Sequence, residues 1–184
     1  MLFPRISFNA PVTLVFSTVS LLFMLIVVLV PDTLDWFDLA GPVRVQWEYF
    51  LGYLSYPFAH VSWIHYFGNF SIILLIGPIL EEKYSSKFIF WGYFLTSLAI
   101  GFFHTILFPE GIVGASGLVF FSIVLVSMTN FHKGQIPMTL ILVALLYLGK
   151  EVAGLFYEDQ ISQFGHLFGG LCGALAGYWA GKSD

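Results

Sequence analysis

The sequence predicts an all-α, multi-span membrane protein of six transmembrane helices. Two observations carry this. Of its 184 residues 58% are hydrophobic and only 10% charged, with a mean hydropathy of +0.87. A soluble domain carries about 25% charge, and so little charge cannot cover a water-soluble surface of this size. The apolar residues also fall into long runs separated by short polar breaks, each run close to the ~20 residues that cross a bilayer. The twenty-one Phe and nine Tyr suit lipid contact and interfacial belts. A net charge of −4 gives no basis for nucleic acid as a partner. The single cysteine, Cys172, excludes an internal disulfide framework and a Cys-based zinc cluster.

The spans follow in order. The first covers about 11–30 and ends at Pro31-Asp32. It lacks a small-residue cleavage site and reads as a retained span rather than a signal peptide. Residues 32–59 form the longest connection, where Asp32, Asp35, Asp38, Arg44 and Glu48 mix with Trp36, Phe37, Trp47, Tyr49, Phe50 and Tyr53. That mixture fits an amphipathic segment lying in the interface. The second span, about 62–80, begins at Ser62 as N-cap and closes at Glu81-Glu82-Lys83. The third covers about 88–108 and the fourth about 115–130. His132-Lys133-Gly134 makes a polar turn before the fifth span, about 137–157, which Lys150-Glu151 interrupts. The sixth covers about 162–180. The whole chain, 1–184, reads as one membrane domain.

An even number of spans puts both termini on one side. That side collects Arg5, Lys83, Lys87, Lys133 and Lys182, against Arg44 and Lys150 on the other. The positive-inside rule then places both termini in the cytoplasm, with the long aromatic loop and the start of the fourth span facing outward.

Polar side chains inside a membrane are costly and are functional candidates by default. Span two carries His65 and Asn69, four residues apart on one helix face. Span four carries Ser116, six residues after Glu110, and span six carries His166, seven residues after Asp159. Each of these therefore lies roughly 10 Å below the outer surface. Gly114-Ala115-Ser116-Gly117 at a helix start is either a cap with close packing or a nucleophile beside free N–H groups. Serine needs a base to take its proton, and histidine is the usual one. The base here is His166, because Gly165, Gly169, Gly173, Gly177 and Gly181 line its helix with a ridge that admits a close neighbour. Asn69 and His65 can donate to a tetrahedral oxyanion. No Asp or Glu lies near that level in spans two, four or six, so the arrangement is a dyad. The bland alternative is a set of interhelical hydrogen bonds that only hold the bundle together.

His65-Tyr66-Phe67-Gly68-Asn69, Gly114-Ala115-Ser116-Gly117 and Gly165-His166-Leu167-Phe168-Gly169 resemble the three signatures of the rhomboid intramembrane serine proteases, in order, spacing and helix. The resemblance extends over essentially the whole chain, as the six-helix form common in bacteria. It implies Ser116 as nucleophile, His166 as general base, and His65 and Asn69 as oxyanion donors. It further implies an inner bacterial membrane, and substrates that are transmembrane segments of other proteins, cut near their outer end. The family often has a Trp-Arg pair about nine residues before the position of His60, where this chain reads Leu51-Gly52. Its Glu-x-x-x-Gly motif appears as Glu81 with Ser85. The tyrosine that often stacks on the catalytic histidine is Phe120, which would orient the base by stacking alone.

The remaining histidines read as structural. His60 comes just before span two, His104 is a hydrogen-bonding residue near the outer end of span three, and His132 is on the inner turn. A zinc site on His60, His65, His104 and His166 is not expected: there is no H-E-x-x-H, and His60 and His65 are five apart, on different helix faces. Cys172 reads as core packing, and no cofactor is expected. Two other functions compete: a non-catalytic rhomboid-like binder of transmembrane clients, which would be expected to lose Ser or His, and a small channel or transporter, which would need charge in several helices at mid-membrane.

Overall fold

A computed structural model describes residues 7–42, 47–129, 136–149 and 160–181. Arg5, Arg44, His132, Lys133, Lys150, Glu151, Asp159 and Lys182, on which the orientation and the break in span five rest, lie outside the described residues. Among those described, the elements are helical: α1 (Pro11–Leu29), a 3-10 turn (Pro31–Thr33), α2 (Leu34–Phe37), α3 (Trp47–Ser55), α4 (Trp63–Tyr84), α5 (Ser86–Leu107), α6 (Ser116–Ser127), α7 (Met138–Val143) running into a π-helical stretch (Ala144–Leu148), and α8 (Gln160–Ala180).

Among the described residues three helices are long and apolar enough to cross a membrane: α1, α4 and α5. Only 33%, 33% and 44% of their most apolar windows is buried inside the bundle. The remainder is open apolar surface, such as Leu22, Leu29, Leu75 and Leu95, and only hydrocarbon matches such a surface. The chain is an integral membrane protein.

At the centre sits α6. Every residue of it except Ser116 and Val126 is buried. A helix that is apolar all round is a core helix, and α6 touches α4, α5, α7 and α8. With 12 residues it is about 18 Å long, short of a ~30 Å hydrocarbon layer.

The irregular segment 108–115 that leads into α6 is held by the long loop. Leu39 and Ile112 exchange two backbone hydrogen bonds of 3.2 Å, and the Gly114 N–H donates to the Tyr56 carbonyl at 2.8 Å. The loop is in turn tied to α5. The Tyr56 hydroxyl donates to the Ser97 carbonyl at 2.8 Å, and the hydroxyls of Tyr53 and Thr105 lie 2.7 Å apart. These bonds satisfy backbone that would otherwise be unpaired inside an apolar bundle. Helix α3 keeps Phe50, Leu51 and Leu54 on its open side, as an interfacial helix does.

Two details depart from the expected boundaries. Ser62 does cap α4, accepting from the His65 N–H at 3.2 Å, but the helix runs past Leu80 to Tyr84 with Pro78 inside it. Glu81 therefore does not close the span. It is 4% exposed, and its carboxylate accepts from the N–H groups of Thr13 at 2.7 Å and Val12 at 3.2 Å. It supplies from another helix the cap that α1 lacks locally, at the end where a negative charge is favoured.

The second detail is Ser85, the single residue joining α4 to α5. Its N–H donates to the Glu81 carbonyl at 2.9 Å and its hydroxyl accepts from the Phe88 N–H at 3.3 Å. Its φ is 77° and ψ 150°, a region essentially reserved for glycine. Such a residue stores about 1–3 kcal/mol of strain. Replacing a Ser cap by Gly costs only a few tenths, and the added freedom of the unfolded glycine about 0.5–1 kcal/mol. Ser85→Gly is expected to stabilise the protein by about 1 kcal/mol. Thermal unfolding in detergent checks this, and a lower midpoint for the glycine variant would count against it.

Candidate active site

Gly114 has φ +115°, in the left-handed region that favours glycine. A Cβ there would also lie 2.6 Å from Cε1 of His65 and 2.8 Å from its Nε2. The absence of a side chain thus lets the His65 imidazole rest against the backbone two residues before Ser116. Ala115 is the N-cap residue of α6, and no side chain makes a cap hydrogen bond there. Ser116 is the first helical residue and half-buried, so the reading of this serine as a helix cap does not hold.

Helices α6 and α8 meet at backbone distance. A Cβ on Gly117 would lie 3.1 Å from the Gly165 carbonyl oxygen. One on Gly169 would overlap that of Gly117, and one on Gly173 that of Phe121. The glycine ridge of α8 therefore packs on α6, and this contact brings His166 against Phe120. The two rings stack with centroids 4.5 Å apart and planes 8° apart. Phe120 lies one turn below Ser116 on the same face of α6.

Asn69 is buried on α4, and its Nδ2 lies 3.0 Å from Nε2 of His60. His60 is fully buried. Its Nδ1 lies 3.1 Å from the Phe58 carbonyl oxygen, and its Nε2 accepts from the Ala115 N–H at 3.4 Å. Burial first, then the neighbouring His65, push its pKa down to about 4, against the bond to Phe58, which raises it. His60 is therefore neutral at pH 7.

The structure thus gathers Ser116, His166, Phe120, His65 and Asn69 around the start of α6. It adds His60, which sequence reasoning set aside. His60 and His65 do not face apart as helical spacing would have them, because His60 precedes the Ser62 cap and is not helical; their rings meet edge to face at 4.8 Å. The spacing carried no signal of this, since the turn at 58–62 folds the ring back under α4. His104 lies elsewhere, its Nε2 2.8 Å from the Glu110 carbonyl oxygen, and it steadies the segment before α6. Cys172 is half-buried on α8, beside Thr96. Among the described residues no group of three or more His, Cys, Asp or Glu is placed to hold a metal ion.

A helical membrane bundle whose short central helix begins beside half-buried Ser116, His65 and His166 and buried Asn69 defines a class: membrane proteins with a polar site set into the bundle. A family model, the rhomboid domain, matches residues 46–183, and the chain belongs to the rhomboid family, whose members are typically intramembrane serine proteases. No curated protein matches the chain.

Proposed function

We propose that the chain is an intramembrane serine endopeptidase that cuts transmembrane segments of other membrane proteins. Ser116 Oγ attacks the scissile carbonyl carbon while His166 takes its proton. The oxyanion that forms receives hydrogen bonds from the Asn69 amide and a ring N–H of His65. Collapse breaks the C–N bond, and His166 returns the proton to the leaving amine. Water then attacks the acyl-enzyme with His166 again as base, which releases the acid and restores Ser116. The observation that carries this reading is the Phe120–His166 stack one turn below Ser116. A base pinned there by an aromatic face has its imidazole beside the helix that bears the hydroxyl. The test is labelling of the purified chain with a fluorophosphonate probe: wild type is expected to label and Ser116→Ala not. A chain that never labels would instead fit a non-catalytic binder of transmembrane segments.

Stacking supplies orientation without a hydroxyl, so Phe120→Tyr is expected to change the rate little. Phe120→Ala frees the imidazole to rotate off the line to Ser116 and is expected to slow cleavage about 10-fold or more. Truncating a buried Phe can itself cost about 3–5 kcal/mol, so the rate is compared only on folded protein. A folded alanine variant as fast as wild type would show that stacking does not orient the base.

The proposal includes six spans, with both termini in the cytoplasm of a bacterial inner membrane. A helix of about 18 Å is shorter than the hydrocarbon layer, which supports a Ser116 set below the outer surface and reached by water from outside. A cysteine placed at Glu110 is expected to react with an impermeant maleimide from outside, and one at Lys133 only after the membrane is opened. The reverse pattern would put the site on the cytoplasmic side.

A further inference from the structure

We propose that His60 is a positioning residue: its bare Nε2 holds the side-chain amide of Asn69 and the N–H of Ala115, so that the oxyanion donor and the nucleophile's turn share one anchor. The proposal rests on the protease reading above and adds a residue that touches neither the substrate nor the reacting atoms.

Two neighbours that cannot exchange roles fix the ring's proton. The Phe58 carbonyl oxygen 3.1 Å from Nδ1 can only accept, so Nδ1 carries the hydrogen. The Ala115 N–H 3.4 Å from Nε2 can only donate, so Nε2 is bare. The contact of 3.0 Å between Nε2 and Asn69 must then be made by the amide NH2 and not by its oxygen. This decides which way the amide faces. One of its two N–H groups goes to His60, and the other stays free for substrate. The reverse orientation would present a carbonyl oxygen to a developing oxyanion.

The ring cannot turn to accept elsewhere. His65, Tyr66 and Phe70 pack on it edge to face, with centroids at 4.8, 5.6 and 5.5 Å. The anchor is also shared across helices. Asn69 is on α4, and Ala115 adjoins Ser116 at the start of α6. One imidazole therefore sets the position of the amide relative to the serine. An oxyanion forms only after attack, so losing this alignment weakens the transition state and leaves substrate binding unchanged.

The experiment compares His60→Gln and His60→Asn in the purified full chain, on a transmembrane substrate, with fluorophosphonate labelling of wild type as the reference. A glutamine Oε1 reaches the place of Nε2 and restores the acceptor; an asparagine is too short. His60→Asn is expected to lower kcat about 10–10²-fold, within the cost of one oxyanion donor, with KM nearly unchanged, and His60→Gln to recover most of the rate. In an Asn69→Ala background the same His60→Asn change should cost less than about 3-fold, because its effect runs mainly through the amide. Equal kcat for His60→Asn and wild type, or the full loss in both backgrounds, overturns the proposal while the protease reading stands. A wild-type chain that neither labels nor cleaves overturns both. If the variants do not fold, imidazole 15N spectra of wild type decide. Protonated Nδ1 with bare Nε2 at His60 supports the anchor, and a proton on Nε2 overturns it.

Discussion

Ser116→Ala is expected to fold as wild type and to lose proteolysis altogether. The structural half of this expectation follows from the helix start. Ser116 is not the N-cap of α6 and its hydroxyl makes no cap bond, so its removal does not carry the ~1 kcal/mol usual for a lost cap. The residue is half-buried, and serine to alanine leaves no cavity large enough to matter. The chemical half rests on covalency. Without the hydroxyl there is no acyl-enzyme, and what is left is the binding site with its donors. In serine proteases removal of the nucleophile lowers kcat on the order of 10⁶-fold, which corresponds to about 8 kcal/mol of transition-state stabilisation. His166→Ala should fall by a similar factor, and the double variant should be no worse than either, because the pair acts as a unit. Unfolding midpoints and cleavage of a transmembrane substrate measure the two halves separately. Cleavage by Ser116→Ala at the wild-type rate would remove the protease assignment.

Much of the fold was legible because hydrophobic run length is a strong signal in a membrane protein. Helices α1, α4 and α5 begin within two residues of where apolar runs and caps placed them. The cluster was legible in part because its three motifs fall on three separate helices, α4, the start of α6 and α8. What stayed hidden depends on contacts between segments far apart in the chain. Glu81 reads as the polar end of a span because no local pattern shows that it caps α1 from 68 residues away. His60 reads as a loop residue because its partners, Asn69 and Ala115, come from two other elements. The exchange of bonds between Leu39 and Ile112 is likewise invisible to periodicity. Ser85 was suspect only through the resemblance, which puts glycine at the position where φ proves positive. The π-helical stretch at Ala144–Leu148 has no sequence signal, since its residues are ordinary helix formers.

The second large effect is expected at the glycine ridge, where intrinsic propensity and packing point in opposite directions. Gly169→Ala gains about 1 kcal/mol of helix propensity. Against this, the new Cβ would overlap the Gly117 carbonyl oxygen and lie 2.7 Å from its carbon and 3.0 Å from its Cα. At Gly173 the obstacle is Phe121, with its carbonyl carbon and Cα both at 3.0 Å. These are backbone atoms inside a helix, and no rotamer change moves them away. The only relief is separation of α8 from α6, and overpacking of this kind costs about 1–3 kcal/mol or more, so packing outweighs propensity. The same separation acts on chemistry. His166 is on α8 and Ser116 on α6, so moving the helices apart lengthens the path between base and nucleophile. A displacement of about 1 Å is enough to cost 10²-fold in rate. Gly169→Ala and Gly173→Ala should therefore lower both the unfolding midpoint and kcat. The control is Gly68→Ala, also inside a helix but with nothing within 4 Å of the added methyl, which should be at least as stable as wild type. Alanine at Gly169 with wild-type stability and rate would mean that the two helices are not held at backbone contact, and the route by which His166 reaches Ser116 would have to be sought elsewhere.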